Sequence, residues 1–394
     1  MKRIKIFNGR LITPFRLVEN GTLLIEEGRI IEVSQENIDF PGARLIDAQN
    51  NYVAPGFIDI HTHGGGGHDF MDGTVNAFLG AAKLHALHGT TALVPTILTC
   101  QIDELFQLFR IYRQAKKENI EGSQFLGLHL EGPYFSMNQR GAQDPRYIRF
   151  PQREEYDYIL SQSDDIIRWS AAPELKGAME FGREVTQQGI LAAIAHTDAT
   201  SEEVAEAIEN GYSHITHLYS GMSGVMRRNA FRYAGVIETA FIFDQLTVEI
   251  IADGVHLPMS LLQLIYKQKG PSRIAMVTDS MRAAGQTKGQ SILGSLKDGL
   301  KVIIENGVAK LSDRTAFAGS VATADLLVRN MVQLVEVPLL HAVQMITSTP
   351  AQICKIDRYK GTLTAGKDAD VIIFDENIEI KTTIINGNII INRI

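Results

Sequence analysis

A chain of 394 residues, 45% hydrophobic and 21% charged, has the balance of a globular protein with a true core and the length for one large barrel plus a smaller partner. A net charge of −7 offers no electrostatic footprint for nucleic acid, and no apolar run reaches the length of a membrane span. Cys100 and Cys354 are far apart and in no metal-type spacing, which argues against a disulfide framework and fits a reducing compartment. The start, Met1-Lys2-Arg3-Ile4-Lys5-Ile6-Phe7, carries basic residues but no long apolar stretch, so a cytoplasmic location is expected.

The first fifty or so residues read as short strands and turns. Asn8-Gly9 and Glu27-Gly28 are turn signals between runs such as Thr22-Leu23-Leu24-Ile25 and Ile30-Ile31-Glu32-Val33. The last forty look alike, with Gly361-Thr362-Leu363, Ala369–Phe374 and Thr383–Gly387. Strand-rich ends around a different middle predict a small β-sandwich domain built from both termini, residues 1–54 and 355–394. With no low-complexity linker, it should pack closely on the middle, residues 55–354.

That middle alternates strand and helix. Apolar runs at Phe57–His63, Thr91–Thr96, Phe125–Gly132, Ile166–Pro173, Leu191–Thr197, Ile215–Leu218, Thr247–Asp253 and Arg273–Ser280 predict eight strands. Helices are expected at 75–88, 103–118, 175–188 and 201–210, the last opened by the capping pattern Thr200-Ser201-Glu202-Glu203. Eight βα units of this kind predict a (β/α)8 TIM-like barrel, whose site lies at the carboxyl ends of its strands.

The residues at those ends are chemically alike. The first strand, Phe57-Ile58-Asp59-Ile60-His61-Thr62-His63, delivers two imidazoles to one side of the chain, about 6–7 Å apart. Glu131 ends the third strand, His196 the fifth, His217 the sixth, Asp253 and His256 the seventh, and Asp279 the eighth. Imidazole and carboxylate donors suit zinc, iron or a related divalent ion. Singly, His196 and His217 read as well as structural histidines, Glu131 as a turn residue before Gly132-Pro133, and Asp279 as a helix cap. Their shared register favours a metal site. Gly64–Gly67 lacks the Gly-Lys-Ser/Thr ending of a phosphate loop and reads as a turn beside that site. His85, His88, His129, His214 and His341 read as structural or surface residues.

Pro55-Gly56-Phe57-Ile58-Asp59-Ile60-His61-Thr62-His63 and Gly361-Thr362-Leu363-Thr364-Ala365-Gly366-Lys367-Asp368-Ala369-Asp370 resemble the first and last motifs of the amidohydrolase superfamily. More narrowly, His129-Leu130-Glu131-Gly132-Pro133-Tyr134, Gly141-Ala142-Gln143, Ala195-His196-Thr197-Asp198, Thr216-His217-Leu218-Tyr219, Ile251–His256 and Val277–Ala283 resemble the N-acetylglucosamine-6-phosphate deacetylase family. The resemblance implies hydrolysis of the acetamide of an amino-sugar phosphate, with a divalent metal as cofactor, one or two ions per chain. It implies that Glu131, His196 and His217 hold the principal metal and that His61 and His63 complete a second site, with Glu131 available as a bridge. Glu131 would replace the modified lysine of sister hydrolases, since the fourth strand runs into Ala171-Ala172-Pro173-Glu174. Asp279 would be the catalytic acid/base and Gln143 a group polarising the carbonyl.

For the substrate, the resemblance implies His256 and Arg228 on the sugar phosphate, with Ala142 and the segment Ala316-Phe317-Ala318-Gly319-Ser320 lining the pocket. A homodimer is implied, one phosphate contact crossing its interface. Two departures fall in the pocket. Ser220-Gly221 stand where the family has Asn-Ala, and Arg227-Arg228-Asn229-Ala230-Phe231-Arg232-Tyr233-Ala234-Gly235 replaces Arg-Glu-Pro-Gly. Three arginines there suit a phosphate through paired hydrogen bonds. Because of these departures, amide hydrolysis is a firmer expectation than the exact sugar. A galactosamine-6-phosphate or unphosphorylated N-acetyl sugar, a cyclic amide, or a non-catalytic sugar-binding barrel are the alternatives.

Overall fold

The computed structural model describes residues 2–394. Eight parallel strands follow one another around a barrel: Phe57–Thr62, Thr90–Ile97, Leu128–Glu131, Ile166–Ala171, Leu191–Ile194, His214–Ile215, Thr247–Ile250 and Ile274–Met276. Every residue of the first two is buried, as parallel strands flanked by helices require. The ladder stops between the eighth strand and the first. Closure there comes from single bonds: Asp279 N donates to His61 O at 2.9 Å and His63 N to Ser280 O at 2.8 Å. The expected helices lie at Val75–Leu87, Ile102–Glu118, Ala178–Gln187 and Ser201–Glu209. The last opens with the Thr200–Glu203 capping box, in which the Thr200 hydroxyl and the Glu203 carboxylate each accept a backbone N–H of the other.

Both termini build one mixed eight-stranded sheet, the small β domain. Its order runs from Asn388–Asn392 through Ile380–Ile385 and Val371–Phe374 to Tyr52–Pro55, Arg3–Ile12, Leu17–Glu26 and Arg29–Ser34, with Arg44–Asp47 also beside Arg3–Ile12. The two ends of the chain meet where Val371–Phe374 pairs antiparallel with Tyr52–Pro55. Ile4, Ile6, Leu23, Val53, Val371 and Ile373 form its core. A buried ion cluster joins this sheet to the barrel: Lys360 Nζ donates to Asp370 Oδ2 at 2.6 Å, Asp368 Oδ2 at 2.8 Å and Gln124 Oε1 at 3.1 Å.

Glu27-Gly28 is the expected hairpin turn, but Asn8-Gly9 is not a turn. It lies inside the strand Arg3–Ile12 as a bulge, with Asn8 at φ 54°. The strand pairs first with Arg44–Asp47 and then with Tyr52–Pro55, and the bulge supplies the bend between the two. A Cβ at Gly9 would sit 2.6 Å from Val53 Cγ2. Gly361-Thr362-Leu363 is likewise irregular rather than a strand, although Leu363 is buried in the small domain's core.

A further unit was not anticipated as such. Gly289–Leu293, Leu300–Glu305, Val308–Leu311 and Phe317–Ser320 form an antiparallel four-stranded sheet between the eighth barrel strand and the helix Ala324–Gln333. The alternation of buried Val302 and Ile304 with more exposed neighbours and the turn at Asn306-Gly307 are its local signals.

Candidate active site

Glu131, at the end of the third strand, is the centre of the barrel mouth. Its Oε1 faces His196 Nε2 and His217 Nε2, each at 3.1 Å, and His61 Nε2 at 3.7 Å. Its Oε2 faces His63 Nε2 at 3.4 Å. Asp279 Oδ1 lies 3.1 Å from His63 Nε2 and 3.5 Å from His61 Nε2. The six side chains form two buried groups, Glu131–His196–His217 and His61–His63–Asp279, with donor atoms in each within 4.8 Å of one another. Three of the six depart from ordinary strand geometry. His196, His217 and Asp279 have φ of 46°, 27° and 46°. Such non-glycine residues cost on the order of 1–3 kcal/mol each and persist where the surroundings over-determine them. Here the positive φ ends each strand and turns its side chain into the mouth.

The far sides of two of these rings are tied down. His196 Nδ1 donates to Gln139 O at 2.8 Å, and His61 Nδ1 lies 3.1 Å from Glu249 Oε2. Both contacts leave Nε2 for the mouth, the arrangement that orients metal-binding histidines. Glu249 also accepts the backbone N–H of His217 at 3.2 Å and pairs with Arg168. Arg168 in turn donates to Thr216 Oγ1 at 2.8 Å and Ile60 O at 3.1 Å. His214 faces Glu249 Oε1 at 3.3 Å, and His129 is held between Thr96 and Ser170. Glu249 and Arg168 form a fully buried polar layer beneath the mouth, and sequence reasoning missed both. Their signal was a charge inside an apolar strand, Val248-Glu249-Ile250 and Ile167-Arg168-Trp169.

The electrostatics call for positive charge. Burial alone would lower the pKa of His61, but the carboxylates of Asp279, Glu249 and Glu131 outweigh it and lift it to about 10. His63 also rises, through Asp279 and Glu131, against its own burial. Burial would raise Glu131, yet the charge of His61 and the contacts from His196 and His217 hold it well below the usual carboxylate range. Asp279 is also lowered, by His61 and His63 against its burial. His61 Nε2, which faces Glu131 and Asp279, is buried with no hydrogen-bond partner among the described residues. Carboxylates that gather positive charge and a mouth-facing imidazole nitrogen left open fit a divalent cation.

Above this floor opens a cavity of about 260 Å³. Ala142, Gln143, Ser220, Gly221, His256, Phe317 and Gly319, all expected at the pocket, line it, as do Leu98, Tyr219 and Leu293. His256 Nδ1 lies 2.7 Å from Asp253 Oδ2, and its ring lies 4.6 Å from that of Phe317. Ala318 is buried behind the wall rather than on it. Arg228 does not line its own chain's cavity. It sits on an exposed hairpin, Met226–Arg228 with Phe231–Tyr233, its guanidinium 5.7 Å from the Tyr233 ring. Gln143 has its amide engaged. Its Oε1 accepts from Thr99 N at 3.1 Å and Thr99 Oγ1 at 3.0 Å, and its Nε2 donates to Glu131 Oε2 at 2.8 Å.

The amidohydrolase family model matches residues 52–390. An N-acetylglucosamine-6-phosphate deacetylase of Bacillus subtilis is 33% identical over 384 residues, covering 96% of this chain and 95% of that protein. An N-acetylgalactosamine-6-phosphate deacetylase of Escherichia coli O157:H7 is 29% identical over 384 residues, covering 96% and 97%. Among solved structures, an N-acetyl-D-glucosamine-6-phosphate deacetylase variant from Mycobacterium smegmatis, in complex with N-acetyl-D-glucosamine-6-phosphate, superposes with a TM-score of 0.90. It is 28% identical, with 100% of both chains covered. With its barrel, its ring of histidines and carboxylates and this full-length likeness, the chain belongs to the amidohydrolase family, among the N-acetylglucosamine-6-phosphate deacetylases.

Proposed function

We propose that the chain hydrolyses the acetamide of N-acetylglucosamine-6-phosphate to glucosamine-6-phosphate and acetate. The observation that carries this is Glu131, within 3.1 Å of His196 and His217 and 3.4 Å of His63, with Asp279 beside it on the floor of a sugar-sized cavity. Glu131, His196 and His217 would hold the principal divalent cation, zinc or iron. His61 and His63, with Asp279 beside them, would hold a second. A cation there supplies Lewis acidity, polarising a carbonyl and lowering the pKa of water from about 15.7 to about 7.

Asp279 is the acid/base. Its depressed pKa keeps it ionised at neutral pH, ready to take a proton from the attacking water. As the carbon–nitrogen bond breaks, the same carboxyl returns that proton to the nitrogen, because an amine leaves poorly unless protonated. The net change adds water across the amide and frees the sugar amine and acetate. Gln143 acts by holding Glu131, which its engaged amide supports better than the role of polarising the carbonyl. The wall formed by Leu293, Phe317 and Gly319 binds the sugar and keeps water from it.

His256 and Arg228 would meet the phosphate. The exposure of the Arg228 hairpin, away from its own cavity, supports a homodimer in which this hairpin reaches the partner's substrate. A second reading keeps the mechanism and changes the sugar to the galacto epimer. It is favoured by the Escherichia coli relative, 29% identical against 33% for the Bacillus subtilis one.

The test is acetate release by metal-loaded protein from N-acetylglucosamine-6-phosphate, its galacto epimer and the unphosphorylated sugar. Strong preference for the phosphorylated gluco sugar is expected. Preference for the epimer would transfer the assignment to the second reading. No acetate from any of the three would overturn both.

A further inference from the structure

The four-stranded sheet of residues 289–320 forms one wall of the cavity through Leu293, Phe317 and Gly319. It is pinned to the barrel at two corners. One corner is the backbone of the proposed acid/base: Ser320 N donates to Asp279 O at 2.7 Å, and Met281 N to Ser320 O at 2.9 Å. The other corner is a single guanidinium. Arg282 lies three residues beyond Asp279 and is only 7% exposed. Its Nη1 donates to Asp72 Oδ2 at 2.7 Å and Gly67 O at 3.0 Å. Its Nη2 donates to Asp72 Oδ1 at 2.7 Å and Gly294 O at 2.8 Å, and its Nε to Ile292 O at 3.3 Å.

All five N–H donors of the guanidinium are therefore in use, two on a carboxylate and three on carbonyls. The acceptors come from three places: the glycine turn after His63, the short helix Phe70–Asp72, and the edge strand of the wall. The acidic partners repeat the link. Asp72 Oδ1 accepts Leu296 N at 3.1 Å, and Asp69 Oδ2 accepts Gly294 N at 2.9 Å. The Arg282 charge holds the Asp72 carboxyl below its ordinary pKa, although burial pushes it up. A buried pair of this kind is weak evidence of stability, since apolar residues of equal volume commonly serve as well. Its fork geometry does something apolar residues cannot, which is to fix direction and distance between three segments.

We propose that Arg282, paired with Asp72, is a positioning residue for substrate binding, holding the 289–320 wall against the loop that follows His63 so that Leu293 and Phe317 close on the sugar. Arg282 itself does not line the cavity, and its hydrogen-bond partners Asp72, Gly67, Gly294 and Ile292 lie outside both candidate metal groups. The choice of sugar in its test rests on the function proposed above, but the clamp can be read without it.

The experiment compares Arg282→Lys and Asp72→Asn with the unaltered full chain, metal-loaded. Lysine keeps the charge but offers one point donor in place of a planar fork. Metal content by elemental analysis should be unchanged in both variants. Amide exchange, followed by mass spectrometry, should rise about tenfold in peptides from 289–320 and stay unchanged in the first and third barrel strands. KM for N-acetylglucosamine-6-phosphate should rise about tenfold with kcat within about threefold. Adding Phe317→Ala to Arg282→Lys should raise KM no further than the larger single effect, because both act through one wall. If Arg282→Lys does not fold, Asp72→Asn carries the comparison, since it removes only the charge and half of the fork's acceptor. Unchanged exchange in 289–320 would overturn the proposal. So would loss of metal together with kcat, which would place Arg282 in the service of the metal loop. Failure of the unaltered protein to turn over this sugar would count against the proposed function, while the exchange measurement would still decide the clamp.

Discussion

Glu249 Oε2 lies 3.1 Å from Nδ1 of His61, and the same oxygen accepts the backbone N–H of His217 at 3.2 Å. One buried carboxylate thus orients a residue from each of the two candidate metal groups. Glu249→Gln should weaken metal binding by about 10–100-fold, the usual effect of losing a hydrogen-bond partner behind a histidine ligand. Metal content after dialysis against graded chelator would show it. Should that variant leave Arg168 without a charge partner and fail to fold, Arg168→Met with Glu249→Gln removes the stranded charge and poses the same question. Unaltered affinity would separate Glu249 from the metal site.

His196 presents Nε2 to Glu131 while Gln139 O holds its other nitrogen. His196→Ala should lose the metal held by Glu131 and His217 and fall to background turnover. Elemental analysis decides the matter, since full metal content would take His196 out of the ligand set.

Asp279 stands at the floor of the cavity with its carboxylate 3.1 Å from His63. Asp279→Asn keeps the shape and removes the proton carrier. Turnover should fall about 10²–10⁴-fold. The cation at Glu131, His196 and His217 should remain bound, and its content in the variant separates loss of the proton carrier from loss of metal. Near-normal kcat would remove Asp279 from proton transfer.

The Asp72 carboxyl has a lower pKa in the folded protein than its ordinary value, because Arg282 outweighs its burial. A depressed acid stabilises the fold above its unfolded pKa of about 3.9. That contribution disappears as pH falls through the folded value. The gap in unfolding free energy between the unaltered chain and Asp72→Asn should therefore be constant from about pH 5 to 7 and shrink below about pH 4. Denaturant titrations across that range test the sign. A gap that widens on acidification would contradict it.

Much of the site is legible in one dimension. His61 and His63 share a face because side chains alternate along a strand, and their rings do lie 5.2 Å apart. Glu131, His196, His217 and Asp279 each end an apolar run, and a parallel barrel brings all such ends to one mouth. Period and position were enough there, since each inference used only a residue's place on its own strand.

What the tertiary structure decided was partnership. Asn8-Gly9 reads as a turn from its residues alone, and it becomes a bulge because two different strands pair along one edge of Arg3–Ile12. The charges of Arg168 and Glu249 are 81 residues apart and mean little until the closed barrel sets them against each other. Arg282 has no role assignable from its place in the segment Val277–Ala283 until Asp72, Gly67 and Gly294 surround it, from positions up to 215 residues away. The family resemblance puts Arg228 on the sugar phosphate, yet its hairpin carries it outward from its own chain's cavity. Strand periodicity is local and is written in adjacent residues. The neighbours that satisfy a buried charge or aim an exposed hairpin are set only when distant segments pack.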